Sequence, residues 1–212
     1  MSIQPRTPTL LNEMLDADYA WRKQELSFFK SLIPKESSTA QKTLIRAGVV
    51  LLYAHWEGFI KETANTYYKF LTYQEHITNE YQNNIIAILL KSGLNDIVDN
   101  KRNSKEIKLI ENILNQLNNK VNFPNIAPIK TSNLNYHVFE DVCALTHIEI
   151  NQLELPERIV EDLLEQRNTI AHGHFLKVSF EDFENIYKKI IDVLYKFKNE
   201  VSNSASLKRY LK

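Results

Sequence analysis

Apolar residues recur at helical spacing along most of the chain. Leu11, Leu15, Tyr19, Leu26 and Phe29 predict a helix over about 9–32, stopped by Pro34. A longer helix is predicted from near Ser38 to about 73, with Ile45, Val49, Leu52, Trp56, Phe59, Ile60, Thr63, Tyr67 and Phe70 along one face. The stretch 74–135 changes character: it is rich in Asn and Lys, and its periodicity is weaker. Helices are predicted there near 80–91 and 104–121, with breaks at Pro124 and Pro128. A further helix is predicted over 136–146. Another opens at Pro156 and closes before Gly173. The last begins at Ser179, with Asp182 three residues on as a near capping box, and runs to about 201. It turns Phe183, Ile186, Ile190, Val193, Leu194 and Phe197 inward, and the residues beyond it are expected to fray. With only 4 Gly and 6 Pro in 212 residues, the pattern predicts an all-α protein. We read one domain, 1–212, interrupted by a helical, Asn-rich insertion at about 74–135.

The charge balance adds one question. Formal net charge is zero, so no global field draws the chain to polyanions. Locally, seven Lys/Arg stand against two acids over 188–212, while six acids stand against Arg158 alone over 149–166. These are either two solvated faces of opposite sign or, for the basic segment, a phosphate-contacting surface. Cys143 is the only cysteine, which rules out an internal disulfide and fits a reducing compartment. The first residues lack a signal-peptide pattern, and the longest apolar run, 49–54, is too short to span a bilayer. A cytoplasmic protein without a membrane segment is expected.

One residue breaks the amphipathic rule. At about 100° per residue, Ile159, Val160, Leu163, Leu164, Ile170 and Ala171 form a single apolar stripe, and Arg167 falls near its middle. An always-charged guanidinium in that place requires a buried carboxylate, a subunit interface or an anionic ligand. Asn168 and His172 are four apart, so the three polar side chains can converge on one edge of the stripe.

The hexapeptide Arg167-Asn168-Thr169-Ile170-Ala171-His172 at a helix end, followed by a short loop and a last amphipathic helix, resembles the signature of the HEPN superfamily. Two further segments resemble stand-alone bacterial members of the RiboL-PSP-HEPN-like subgroup. They are Tyr53-Ala-His-Trp-Glu-Gly-Phe-Ile-Lys61 and Lys130-Thr-Ser-Asn-Leu-Asn135. The resemblance implies a four- to five-helix bundle that pairs into a homodimer, with the Arg and His of both protomers in a composite cleft. Many members are metal-independent endoribonucleases, often toxins or phage-defence effectors, and others only bind or assemble. On that basis Arg167 and His172 take the catalytic roles and Asn168 the polar position beside them. Partners implied are an RNA substrate and an antitoxin or regulatory protein. A toxin subgroup carries a modifiable tyrosine two residues after the histidine; His174 stands there, which speaks against that mode of control.

The chemistry fits the residue types. RNA cleaves when its 2′-hydroxyl attacks the adjacent phosphorus, a step that needs a base, an acid and positive charge on the phosphoryl group. Histidine can move either proton. Arginine can grip two phosphate oxygens as charge develops. Asn168 can orient His172 or bind the sugar or phosphate. No metal or cofactor is required, because the nucleophile belongs to the substrate. Glu57 is the candidate carboxylate for Arg167, either positioning it for catalysis or forming a purely structural ion pair. The structural pairing is the basis of the alternative reading, a non-catalytic RNA- or protein-binding module. His174 is expected to touch substrate or solvent, His55 to be structural and to face the insertion, and Cys143 to be a buried, inert thiol.

Overall fold

The structure is a computed structural model and describes residues 4–88, 90, 103–120 and 133–212. Helix α1 spans Pro8–Ser31 and α2 spans Thr39–Thr72. Helix α3 is described over 83–88, and α4 spans Asn103–Leu117. Helices α5, α6 and α7 span Tyr136–Leu145, Glu157–Ala171 and Phe180–Ser206. Short 3₁₀ turns lie at Thr78–Glu80 and Ile150–Leu153. No β-strand occurs among the described residues, and the protein is all-α. The breaks at Pro124 and Pro128, and the start of the segment Lys130–Asn135, lie outside the described residues.

Local chemistry sets the helix starts. Thr7, Ser38, Asn135 and Ser179 each place a side-chain oxygen on a backbone N–H of the first turn, those of Leu10 (3.2 Å), Gln41 (3.1 Å), Val138 (2.8 Å) and Asp182 (3.0 Å). Each satisfies a donor that the helix itself leaves unpaired. The α1–α2 turn is closed by Gln41, whose amide donates to the Pro34 carbonyl at 2.9 Å and the Lys35 carbonyl at 3.2 Å.

Helix α2 is the centre of the bundle. It packs against α1, α7, α6 and α5. All nine residues read as its apolar face are buried, and so are Tyr53, Ala64, Tyr68 and Leu71 on its other sides. Trp56 meets Phe139 of α5 edge-on at 4.8 Å between ring centroids. Gly48 lets α1 and α7 close on the same turn of α2. A Cβ there would sit 2.9 Å from Phe183 and 3.0 Å from Phe29, inside van der Waals contact.

Two expectations fail for tertiary reasons. The C-terminal residues do not fray: α7 continues to Ser206, and Tyr210 is buried with its ring stacked on Tyr81 at 5.8 Å. Backbone bonds from Gln82 N to Tyr210 O (2.8 Å) and from Lys212 N to Glu80 O (2.9 Å) complete the anchor. Burying an aromatic ring offsets the entropy of ordering so short a tail. His55, in turn, faces α1 rather than the insertion, with its ring 5.1 Å from Trp21 and its Nε2 2.6 Å from Glu25.

Candidate functional site

The apolar stripe of α6 lies against α2, with Val160 and Leu163 buried and Ile159, Leu164 and Ile170 packed against the core. Ala171, at the helix end, is exposed. Arg167 therefore points at α2, where a turn-by-turn register has prepared for it. Arg46, Tyr53 and Glu57 are spaced seven and four residues apart, which puts them within about 40° of one another on the face of α2 towards α6.

The guanidinium of Arg167 meets three groups. It lies 4.2 Å from the centroid of the Tyr53 ring, within cation–π range. Its Nη1 donates to Asn168 Oδ1 at 2.7 Å. Its Nη2 is 3.7 Å from Glu57 Oε2, an attraction between charges but too long for a hydrogen bond. That carboxylate oxygen is buried and accepts no hydrogen bond among the described residues, while the other oxygen of Glu57 takes Lys61 Nζ. The Arg167 side chain keeps 23 % of its surface exposed, so its charge is oriented from below and open from above.

Tyr53 joins this site to a third element. Its hydroxyl accepts the Leu134 N–H at 2.7 Å, fixing the segment that leads into α5. Burial first, then the Glu57 carboxylate, pushes the Tyr53 phenol well above its ordinary pKa, so it stays protonated at neutral pH. Tyr53 is thus a platform for Arg167 and a poor candidate for moving protons.

The motif histidines sit at the helix end. His172 is the C-cap of α6: its N–H reaches back to the Asn168 carbonyl at 3.0 Å, and its exposed side chain bonds to nothing among the described residues. Asn168 spends its side-chain oxygen on Arg167 and not on His172, so its orienting role runs to the arginine. Gly173 takes φ +79°, where a side chain would be strained, and the chain turns sharply into His174. His174 is exposed, and its carbonyl accepts Arg46 Nη2 at 3.1 Å. The structure therefore brings Arg167, Asn168 and Glu57 together, with His172 one helical turn further on and His174 beside Arg46.

Sequence reasoning did not assign roles to Tyr53 or Arg46. The signal was present: both share the helix face of Glu57, the residue already paired with Arg167 on paper. Cys143 is 1 % exposed, and burial pushes its thiol well above the ordinary range, so it is an inert core residue. Four of the seven basic residues at 188–212 are paired with acids, while Lys189 and Lys208 are exposed without an ion pair among the described residues. Lys196 pairs with Glu154 and Asp192, Lys198 with Asp16, Lys188 with Glu184, and Arg209 with Glu200.

The model of the RiboL-PSP-HEPN family matches residues 17–203, a span that takes in the motif, its partners on α2 and most of the bundle. The chain belongs to the RiboL-PSP-HEPN family. No curated protein and no solved structure matches. HEPN domains of this kind are generally associated with ribonuclease function and RNA binding. Among the described residues, no helix of this HEPN protein is long and apolar enough to cross a membrane.

Proposed function

We propose that this HEPN protein is a metal-independent endoribonuclease, with Arg167 and His172 of two protomers forming a composite cleft. The observation that carries the reading is the state of Arg167. It is held by the Tyr53 ring, Asn168 and Glu57, yet partly exposed at the helix end that bears an unengaged His172. A guanidinium held this way can bind a phosphate without reorganising when charge develops.

The reaction needs two proton transfers. The imidazole of one His172 takes the 2′-hydroxyl proton, and O2′ attacks phosphorus. The bond from phosphorus to O5′ breaks, and the partner's His172 donates a proton to O5′. Arg167 stabilises the negative charge that develops on the pentacoordinate phosphoryl group. The products are a 2′,3′-cyclic phosphate and a 5′-hydroxyl, and DNA, lacking the nucleophile, is not cut. One chain offers one His172; a symmetric pair supplies both acid and base, which is the reason for the homodimer. On this reading the protein is a cytoplasmic toxin or phage-defence effector under control of an antitoxin or other regulatory protein.

The test is incubation with total RNA in EDTA, beside Arg167→Ala and His172→Ala, followed by chemical analysis of fragment ends. Cleavage by wild type alone, with cyclic-phosphate ends, supports the reading. A second reading is favoured by the 3.7 Å approach of Glu57, which would make Arg167 a structural ion pair between α2 and α6 in a non-catalytic binding module. That module would bind labelled RNA, or a protein, and leave RNA uncut.

A further inference from the structure

Beside the motif lies a pair of side chains that the reaction above does not use. Phe175 is the most exposed large hydrophobic residue described, at 83 %, and it sits in the loop immediately after His172, Gly173 and His174. An isolated exposed aromatic needs no explanation, but this one has company. The Arg46 guanidinium lies 5.7 Å from its ring centroid and donates to the His174 carbonyl at 3.1 Å. Arg46 thus fixes the loop against α2 and lies over one face of the Phe175 ring, leaving the other face open. Among the described residues it has no carboxylate partner, unlike Lys188, Lys196, Lys198 and Arg209 in the basic segment 188–212. An open aromatic face next to an uncompensated cation is the combination that binds single-stranded nucleic acid: the ring stacks on a base and the cation takes the neighbouring phosphate.

Position strengthens the assignment. Arg46 and Tyr53 are seven residues apart on one face of α2, a rise of about 10 Å. The Arg46–Phe175 pair therefore lies along α2 from the Arg167 site, at a spacing that a short stretch of single strand can bridge. His172 and His174 lie in the chain between the two. Charge complementarity favours a polyanion over an apolar partner, because an arginine left without an acid would oppose a dry protein contact.

We propose that Phe175 and Arg46 form a stacking and phosphate subsite for a nucleotide flanking the scissile bond of single-stranded RNA. This rests on the ribonuclease reading and adds a determinant of substrate binding to it. The subsite is sequence-tolerant, since every base has a π-face.

The experiment uses the His172→Ala background, which retains RNA without cutting it, and a fluorescently labelled single-stranded RNA read by anisotropy. Phe175→Ala weakens binding about tenfold, and Phe175→Trp restores it. Arg46→Gln keeps a donor for the His174 carbonyl but loses the charge; it lowers the slope of log affinity against log salt by about 0.7, the share of one phosphate on a single strand. Sedimentation of each variant is run in parallel. Unchanged RNA affinity in Phe175→Ala overturns the subsite, as does a change in its oligomeric state, which would assign Phe175 to a contact with a second copy. If the protein with intact His172 cuts RNA while Phe175→Ala binds normally, only the subsite fails. If RNA is neither bound nor cut by any form, the ribonuclease reading fails with it.

Discussion

Helix α2 carries a polar cluster on each of two opposite sides, and the clusters are built from the same residue types. Towards α1, Trp21, Arg22, Asp18, His55 and Glu25 come together. Towards α6, Tyr53, Arg167, Glu57, Asn168 and His172 do. The first is closed by internal pairs, with only Asp18 Oδ2 and His55 Nδ1 of this cluster left buried and without a hydrogen bond among the described residues. Asp18 accepts from both Trp21 Nε1 (2.8 Å) and Arg22 Nε (2.9 Å), and Arg22 lies 4.7 Å from the Trp21 centroid and 5.9 Å from that of Phe59. His55 is buried and engaged by Glu25. The second is open: Arg167 misses a hydrogen bond to Glu57, and the His172 side chain meets nothing among the described residues. A count of Arg, His, acid and aromatic would rank them alike. What separates them is whether each Arg and His has a hydrogen-bonded acid: Arg22 and His55 do, Arg167 and His172 do not among the described residues, and an oriented group without one has free energy left to give a ligand.

The comparison breaks most sharply in activity. Arg167→Ala and His172→Ala each lower RNA cleavage by roughly 10²–10³-fold or more, with helicity by circular dichroism unchanged, whereas Arg22→Ala leaves cleavage per folded molecule near wild type. Cleavage by both site variants at the wild-type rate would end the distinction.

The next effect falls on the closed side. Arg22→Ala leaves Asp18 in a largely buried place without its cation and costs roughly 2–3 kcal/mol in denaturant unfolding, less than a wholly buried pair because both side chains keep some exposure. His172→Ala, measured the same way, changes stability by less than about 0.5 kcal/mol.

Gly48→Ala tests the packing that holds both faces in place. The added methyl meets the Phe183 and Phe29 rings, and the overpacking exceeds the helix-propensity gain, for a net loss of about 1 kcal/mol. An equal or higher melting temperature would show that the rings move aside freely.

The smallest effect is a pH dependence. Burial, the largest influence on His55, lowers its pKa below the ordinary histidine value despite Glu25. The unfolded chain then binds a proton there that the folded chain does not. Stability is complete above about pH 6.5 and declines as pH falls through that unfolded value towards the lower folded one. His55→Phe flattens this part of the melting-temperature profile. If the slope persists unchanged, the loss belongs to another group.

Much of this protein was legible in its sequence. Helix positions followed from apolar spacing and from the Ser38 and Ser179 starts, because those are local interactions that a few neighbouring residues settle. The odd place of Arg167 in the α6 stripe was visible too, as was Glu57 as its candidate partner. The tertiary structure alone decided the rest. Whether a cation is free depends on acids distant in sequence: Asp16 closes Lys198 and Glu154 closes Lys196, while no described acid reaches Arg46. The same holds for the tail anchored through Tyr210 on Tyr81, and for His55 turned to α1. Periodicity reports which side of a helix is apolar; it cannot report what the opposite helix brings to meet it, and in this HEPN protein that encounter separates a closed cluster from an open site.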